Sequence, residues 1–152
     1  MTHRVHLDHL AGELFQVFSR TEYALKASGY HKGDGIAEAN WREFALDVEN
    51  LIAQPRTQAL REAINFFLSS PPKKQVIVGG IIQWEASDPA TESEADRLLI
   101  YVRRVRNNLF HGGKFNGRWF APERSEALLR HSLTILSVCV ESVPSVREAY
   151  HG

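Results

Sequence analysis

The sequence predicts an all-α fold, an up-down bundle of four to five helices. Apolar residues recur at spacings of three and four along most of the 152 residues, the periodicity of helices with one buried face. Proline or glycine interrupts this periodicity at intervals that suit separate helices. A chain of this length suits one hydrophobic core, so residues 1–152 are predicted to form a single domain.

The first helix is predicted over roughly residues 4–28 and ends at Gly29. Its apolar stripe consists of Leu7, Leu10, Leu14, Val17, Phe18 and Leu25. A polar loop over residues 30–36 separates it from a second helix, predicted over residues 38–54 and broken by Pro55. The inward residues of the second helix are Trp41, Phe44, Val48 and Leu51.

A third helix is predicted over residues 56–68, where the motif Pro71-Pro72 follows and prevents its continuation. Its buried face consists of Leu60, Ile64 and Phe67. Residues 75–84 are then apolar and β-branched, with Gly79-Gly80 at their centre. This composition fits a short hairpin or an ordered loop, and the sequence does not decide between them.

The fourth helix is predicted to begin at Thr91, because the run from Thr91 to Glu94 has the pattern of a capping box. Gly112-Gly113 is its predicted C-terminal stop. A fifth helix is predicted from about Pro122 to about Pro144, with room for a short terminal helix after it. The apolar face of the fifth helix consists of Leu128, Leu129, Ile135, Leu136 and Val140.

Composition narrows the classes of function. The 18 basic and 18 acidic residues balance, so any contact with RNA must come from a local basic patch. The single cysteine, Cys139, excludes an internal disulfide and a cysteine-based zinc site, and it is expected to pack as a small apolar residue. The chain shows neither a signal peptide nor a membrane span, which predicts a cytoplasmic protein without membrane contact.

No metal site or cofactor is predicted. The histidines near the N-terminus have spacings that resemble a metal site, but they lack a supporting ligand set and fit a solvated helix face. These residues are His3, His6 and His9, together with Asp8.

The segment from Arg103 to Gly113, at the end of the fourth helix, carries the candidate site. At about 100° per residue, one narrow stripe of this helix is apolar and must face the core. That stripe is Leu98, Val102, Val105 and Leu109. Arg103, Asn107 and His111 form a second stripe on the opposite side, and Arg106 lies between the two, near Leu99 and Phe110.

Cleavage of RNA without a metal requires a base, an acid and a cation near the phosphate. Histidine suits proton transfer because its pKa lies near neutral, and the arginine fork matches phosphate oxygens. His111 and Arg106 are therefore the candidate catalytic residues, and Asn107 lies one turn before His111, where it can orient the imidazole. The alternative is a solvated helix end in which His111 only interacts with the C-terminal dipole.

The order Arg106, Asn107 and His111, with four residues between Arg and His, resembles the signature of the HEPN superfamily. The resemblance is specific over residues 103–113 and only architectural elsewhere. It implies a small helical homodimer, RNA as substrate, metal-independent endoribonuclease activity, and a role as a toxin or in phage defence. An antitoxin or another protein partner stays open. HEPN toxins paired with a nucleotidyltransferase antitoxin often carry Tyr where this chain has Gly113, which argues against that pairing.

Two other interpretations remain, a non-catalytic HEPN module that binds RNA, a nucleotide or a protein, and a helical bundle unrelated to RNA. The candidate RNA contacts are Arg103, Arg104, Asn108, Lys114 and Arg118. The last two, with Trp119, are equally compatible with an ordinary loop.

Glu22 is the candidate supporting residue, because a half-buried carboxylate needs a partner. Arg106 is one such partner, and an ordinary structural salt bridge is the alternative. Arg106 and His111 diverge by roughly 140° on one helix, so a twofold pairing of these helices is predicted to complete the site. The apolar border of that interface is predicted to be Leu99, Ile100 and Phe110.

Overall fold

The structure, a computed structural model, describes residues 3–110, 114–115, 118–119 and 122–152. The described chain is mostly helical, which confirms the predicted all-α class in its coarse form. Its helices are α1 (His3–Ala27), α2 (Trp41–Asp47), α3 (Glu49–Ala53), α4 (Gln58–Ser69), α5 (Glu94–Phe110), α6 (Pro122–Ser142) and α7 (Pro144–His151). Two antiparallel strand pairs accompany them, β1 (Lys74–Val78) with β2 (Ile81–Glu85), and β3 (Lys114–Phe115) with β4 (Arg118–Trp119).

One hydrophobic cluster joins the helices. The α1 helix packs along α6 and α7, α4 packs on α6, and α5 contacts α1, α2, α3, α4 and α6. The predicted core stripe of α5 is confirmed, since Leu98, Val102 and Val105 are buried and Leu109 is partly buried. Leu99 is buried as well, so its predicted place on an exposed apolar border is wrong. It lies on the side of α5 that its own chain already covers.

The predicted second helix is two helices. Asn40 begins α2 because its side-chain oxygen accepts the backbone N–H of Glu43 at 3.1 Å, so the helix starts after the expected residue 38. Val48 then leaves the helical conformation, with φ −105° and ψ 9°, and α3 starts at the next residue. This turn keeps Val48 itself buried, and it is one reason why the described chain has more helices than the four or five predicted.

The start of α5 also differs from the prediction. Ser93, not Thr91, caps the helix, because the hydroxyl of Ser93 accepts the backbone N–H of Asp96 at 3.0 Å. The same hydroxyl donates to a carboxylate oxygen of Glu49 at 2.5 Å, which ties α3 to α5. Thr91 instead accepts the backbone N–H of Ser93 at 3.2 Å, so it shapes the turn before the helix.

We expect Ser93→Ala to lower the free energy of unfolding by about 1 kcal/mol, because the substitution removes the cap and the bond to Glu49. Urea unfolding followed by circular dichroism measures this loss. Ser145→Ala is the matched control, since Ser145 is an exposed serine in α7 and should change stability by less than about 0.5 kcal/mol. Equal midpoints for the two variants would contradict the assignment of the cap.

Residues 74–85 form a hairpin, which decides between the two structures that the sequence left open. Gly79 and Gly80 occupy its two-residue turn with φ 58° and 78°, the left-handed values that a type I′ turn requires. The five pairs across the hairpin run from Lys74 opposite Glu85 to Val78 opposite Ile81. Its composition is that of a buried strand pair, yet most of its side chains are exposed.

The remaining predicted boundaries agree with the structure where it can be compared. The α6 helix ends at Ser142, close to the predicted Pro144, and the short terminal helix is present as α7. The predicted stop at Gly112-Gly113 lies outside the described residues. In the described ranges, none of the helices has the length and apolar character needed to cross a membrane.

Candidate functional site at the end of helix α5

Arg106 and Asn107 lie in the last turn of α5, where Arg106 is half-buried and Asn107 is exposed. The guanidinium of Arg106 donates from Nη1 to the side-chain oxygen of Asn107 at 3.1 Å. His111, the third residue of the predicted site, follows α5 in the chain and lies outside the described residues. The structure therefore gives the setting of the arginine and the asparagine.

Arg106 rests on an aromatic side chain of α1. Its Cζ atom lies 5.3 Å from the centroid of the Phe18 ring, within the range of a cation–π contact. Phe18 is buried and belongs to the predicted apolar stripe of α1. The α1 helix thus supports the guanidinium from one side, while Asn107 accepts a hydrogen bond from it on the other.

A second arginine–aromatic stack lies beside the first. The ring of Trp41, at the start of α2, lies 5.3 Å from the ring of Phe18 with a tilt of 31°. Arg103 lies over Trp41, with its Cζ atom 5.6 Å from the ring centroid. Phe18 and Trp41, which we call the aromatic ledge, therefore carry two arginines of α5 side by side.

Glu22 is bound to this ledge. Its carboxylate accepts the indole N–H of Trp41 at 3.1 Å, and its charge acts against the lowering of the Arg103 pKa that burial causes. Sequence analysis paired Glu22 with Arg106, whereas these interactions associate it with Trp41 and Arg103.

Besides Trp41, Arg103 contacts two residues of its own helix. Its Nε donates to the carbonyl oxygen of Leu99 at 3.3 Å, and its Nη2 lies 3.9 Å from the buried carboxylate of Asp96. Burial lowers the pKa of Arg103, and the charges of Asp96 and Glu22 oppose that effect. Its charge therefore interacts with the carboxylates of Asp96 and Glu22.

Arg104 and Asn108, one turn apart on α5, hold the base of the hairpin. Arg104 donates from Nη1 to the carbonyl oxygens of Ser87 at 2.8 Å and Pro72 at 3.3 Å. Asn108 donates to the carbonyl oxygen of Lys73 at 2.9 Å. Sequence analysis predicted both residues as RNA contacts, and the structure gives both of them backbone partners in the segments that lead into and out of the hairpin.

Lys114 and Arg118, the other predicted RNA contacts, follow the end of α5. Their backbones belong to the short pair of β3 and β4, in which Lys114 lies opposite Trp119 and Phe115 lies opposite Arg118. This pairing places the backbones of residues 114–115 and 118–119 side by side.

The residues that sequence analysis missed are Phe18 and Trp41 in their role as supports. Their apolar character predicted core positions, and both are indeed buried. One available signal was the spacing of Phe18 and Glu22, four residues apart on α1, which places an aromatic ring and a carboxylate on one face. A second was Trp41 itself, because a buried indole N–H needs an acceptor.

In the parts of the chain that the structure describes, no three His, Cys, Asp or Glu side chains are grouped so as to hold a metal ion. Comparisons with protein-family models, with curated proteins and with solved structures found no match for this chain. The chemistry of the residues at the end of α5 therefore carries the functional assignment.

Proposed function

We propose that this protein is a cytoplasmic, metal-independent endoribonuclease of the HEPN type, acting as a toxin or a defence effector. The observation that carries the proposal is the setting of Arg106. Its guanidinium is stacked on Phe18 and hydrogen-bonded to Asn107 in the last turn of α5, five residues before His111. A cation held in this way is preorganised to bind a phosphate.

The proposed reaction is an internal transfer at phosphorus. A base removes the proton of the ribose 2′-OH, the 2′ oxygen attacks the phosphorus, and the bond to the 5′ oxygen breaks. An acid then protonates the 5′ oxygen, which leaves a 2′,3′-cyclic phosphate and a 5′-hydroxyl end. His111 supplies the proton-transfer group, and Arg106 stabilises the additional negative charge on the phosphate oxygens.

The active unit in this proposal is a symmetric dimer. Arg106 contacts Phe18 of α1. On one regular helix, two positions five residues apart diverge by roughly 140°. One copy of the helix does not aim both side chains at one phosphate. Two copies related by a twofold axis bring an arginine from one chain and a histidine from the other to the same cleft.

We expect cleavage of labelled RNA in excess EDTA at a rate close to that measured with magnesium, because Arg106 and His111 replace the metal in this mechanism. The products should carry 2′,3′-cyclic phosphate and 5′-hydroxyl ends, which end-group analysis by mass spectrometry distinguishes. The matched control is the same RNA with a 2′-O-methyl group at the cleaved position, which should stay intact.

Activity that EDTA abolishes and magnesium restores would contradict the proposed mechanism. Binding of RNA without cleavage would instead support the interpretation of the protein as a non-catalytic binding module. A protein that neither binds nor cuts RNA would be a helical protein unrelated to RNA.

A further inference from the structure

The hairpin of β1 and β2 has a tip that is apolar on both of its faces. Ile77, Ile81 and Ile82 are exposed by 66%, 63% and 61% of their surface, and Val78 is half exposed. Opposite residues share a face, so Ile77 and Ile82 lie on one face, and Val78 and Ile81 lie on the other. A flat partner would cover one face and leave the other in water. Burial of both faces requires an environment that surrounds the tip.

The character of the side chains changes in steps from the tip to the base of the hairpin. The two pairs nearest the turn are wholly apolar. The next two pairs each combine a glutamine with an apolar residue, Val76 with Gln83 and Gln75 with Trp84. The charged pair, Lys74 opposite Glu85, comes last. This order, in which apolar residues are followed by tryptophan and then by charges, is that of a segment that enters the interface of a lipid bilayer.

Positive charge collects at the base of the hairpin, which consists of residues 70–74 and 85–88. Four cations lie in these segments or bind their carbonyl oxygens, namely Lys73, Lys74, Arg104 and Arg124. The same segments contain two carboxylates, those of Glu85 and Asp88, so the base carries a net positive charge. Lys73 and Lys74 are exposed, and a surface of anionic lipid headgroups complements them.

We propose that the hairpin tip enters the interface of an anionic lipid membrane, with the base at the level of the lipid phosphates. Three steps along a strand, from the pair at the turn to the pair that contains Trp84, span about 10 Å, which matches the depth that interfacial segments reach. No further strand of the described chain pairs with β1 or β2, so their outer edges are open. Insertion therefore stops at the interface, where water still reaches the backbone groups of those edges.

This contact departs from the sequence prediction of a protein without membrane contact. That prediction rested on the lack of a long apolar run, and a hairpin tip needs no such run to enter the interface. The cytoplasmic leaflet is anionic, so the contact suits a cytoplasmic protein. The inference goes beyond the proposed function, because membrane binding holds whether or not the protein cleaves RNA.

The test is cosedimentation of the full chain with vesicles made of equal parts of phosphatidylcholine and phosphatidylglycerol. We expect the native chain to bind them, and to bind vesicles of phosphatidylcholine alone at least about tenfold more weakly, because the cationic base then loses its counter-charge. Binding should shift the tryptophan fluorescence to the blue, and this shift should be absent from Trp84→Phe. Both readouts are independent of RNA cleavage.

Two variants separate the apolar tip from the cationic base. Ile82→Ser should weaken binding at least about tenfold, because a large apolar side chain no longer leaves water. Lys73→Gln combined with Lys74→Gln should weaken binding to a similar extent of about tenfold, and only on the anionic vesicles. Ile36→Ser is the matched control, because Ile36 is 87% exposed outside the hairpin, and it should bind like the native chain. All variants should keep the native circular dichroism spectrum.

A native chain that stays in the supernatant with the anionic vesicles overturns the proposal. So does binding that Ile82→Ser leaves intact, and so does equal binding to the two kinds of vesicle. A dimer in lipid-free solution that Ile82→Ser dissociates would also overturn it, because protein would then cover the tip.

Discussion

Substitution of His111 or Arg106 by alanine should reduce RNA cleavage by at least about 10²-fold. The loss for His111→Ala should lie between about 10² and 10⁴, the contribution of one positioned acid or base. The loss for Arg106→Ala should be similar, because a phosphate that gains charge in the transition state loses the arginine that is stacked on Phe18 and hydrogen-bonded to Asn107. Initial rates on one labelled RNA, measured with stoichiometric enzyme, give both values.

The controls separate chemistry from stability. His9→Ala and Arg42→Ala remove the same side-chain types from exposed positions, and both should cleave at the native rate. Arg106→Lys keeps the positive charge but loses the planar fork, so it should recover only part of the activity. Full activity of His111→Ala, in a preparation whose other fractions cut no RNA, would remove His111 from the mechanism.

The helices α1, α4 and α6 were predictable because each presents one continuous apolar stripe, and burial of that stripe is what stabilises a helix in a folded chain. The break at Val48 was not predicted, since Val48 fits the apolar period and is indeed buried. The backbone departs from the helix there while the side-chain pattern continues. Periodicity reports which side chains face the core, and it does not report backbone angles.

The start of α5 was misplaced for a related reason. The residues 91–94 and 93–96 both begin with a hydroxyl side chain and end with an acidic one, so both fit a capping box. The structure selects Ser93, whose hydroxyl also reaches Glu49 of α3. A tertiary contact thus decides between two local patterns of equal quality.

In the candidate site, too, some features were predictable from the sequence and others depend on tertiary contacts. Position on the helix was enough to put Arg106 and Asn107 at its end and away from the core stripe. Arg104 and Asn108 bind carbonyl oxygens of residues 72, 73 and 87, and a carbonyl oxygen gives no signal in the sequence because every residue has one. Arginines that bind backbone carbonyls and arginines that bind other groups look alike in sequence, because both need only a long cationic side chain.

The aromatic ledge leads to the second large effect. We expect Trp41→Ala to lower the free energy of unfolding by about 3–5 kcal/mol, because Trp41 is buried and its loss leaves a cavity beside Phe18. It also removes the ring under Arg103 and the donor to Glu22. Since small domains are stable by only about 5–15 kcal/mol, this variant should unfold at a much lower urea concentration.

Trp41→Phe separates the contribution of the aromatic ring from the contribution of the indole N–H. Phenylalanine keeps an aromatic ring near Phe18 and Arg103 but has no N–H for the carboxylate of Glu22, so the loss should fall to about 1–3 kcal/mol. Tyr23→Ala, which removes an exposed aromatic residue from α1, should cost less than either. Urea midpoints followed by circular dichroism rank the three, and equal losses for Trp41→Ala and Tyr23→Ala would show that the ledge does not stabilise the fold. Because Phe18 still supports Arg106 in Trp41→Phe, any RNA cleavage by the native chain should survive in that variant even though its stability falls.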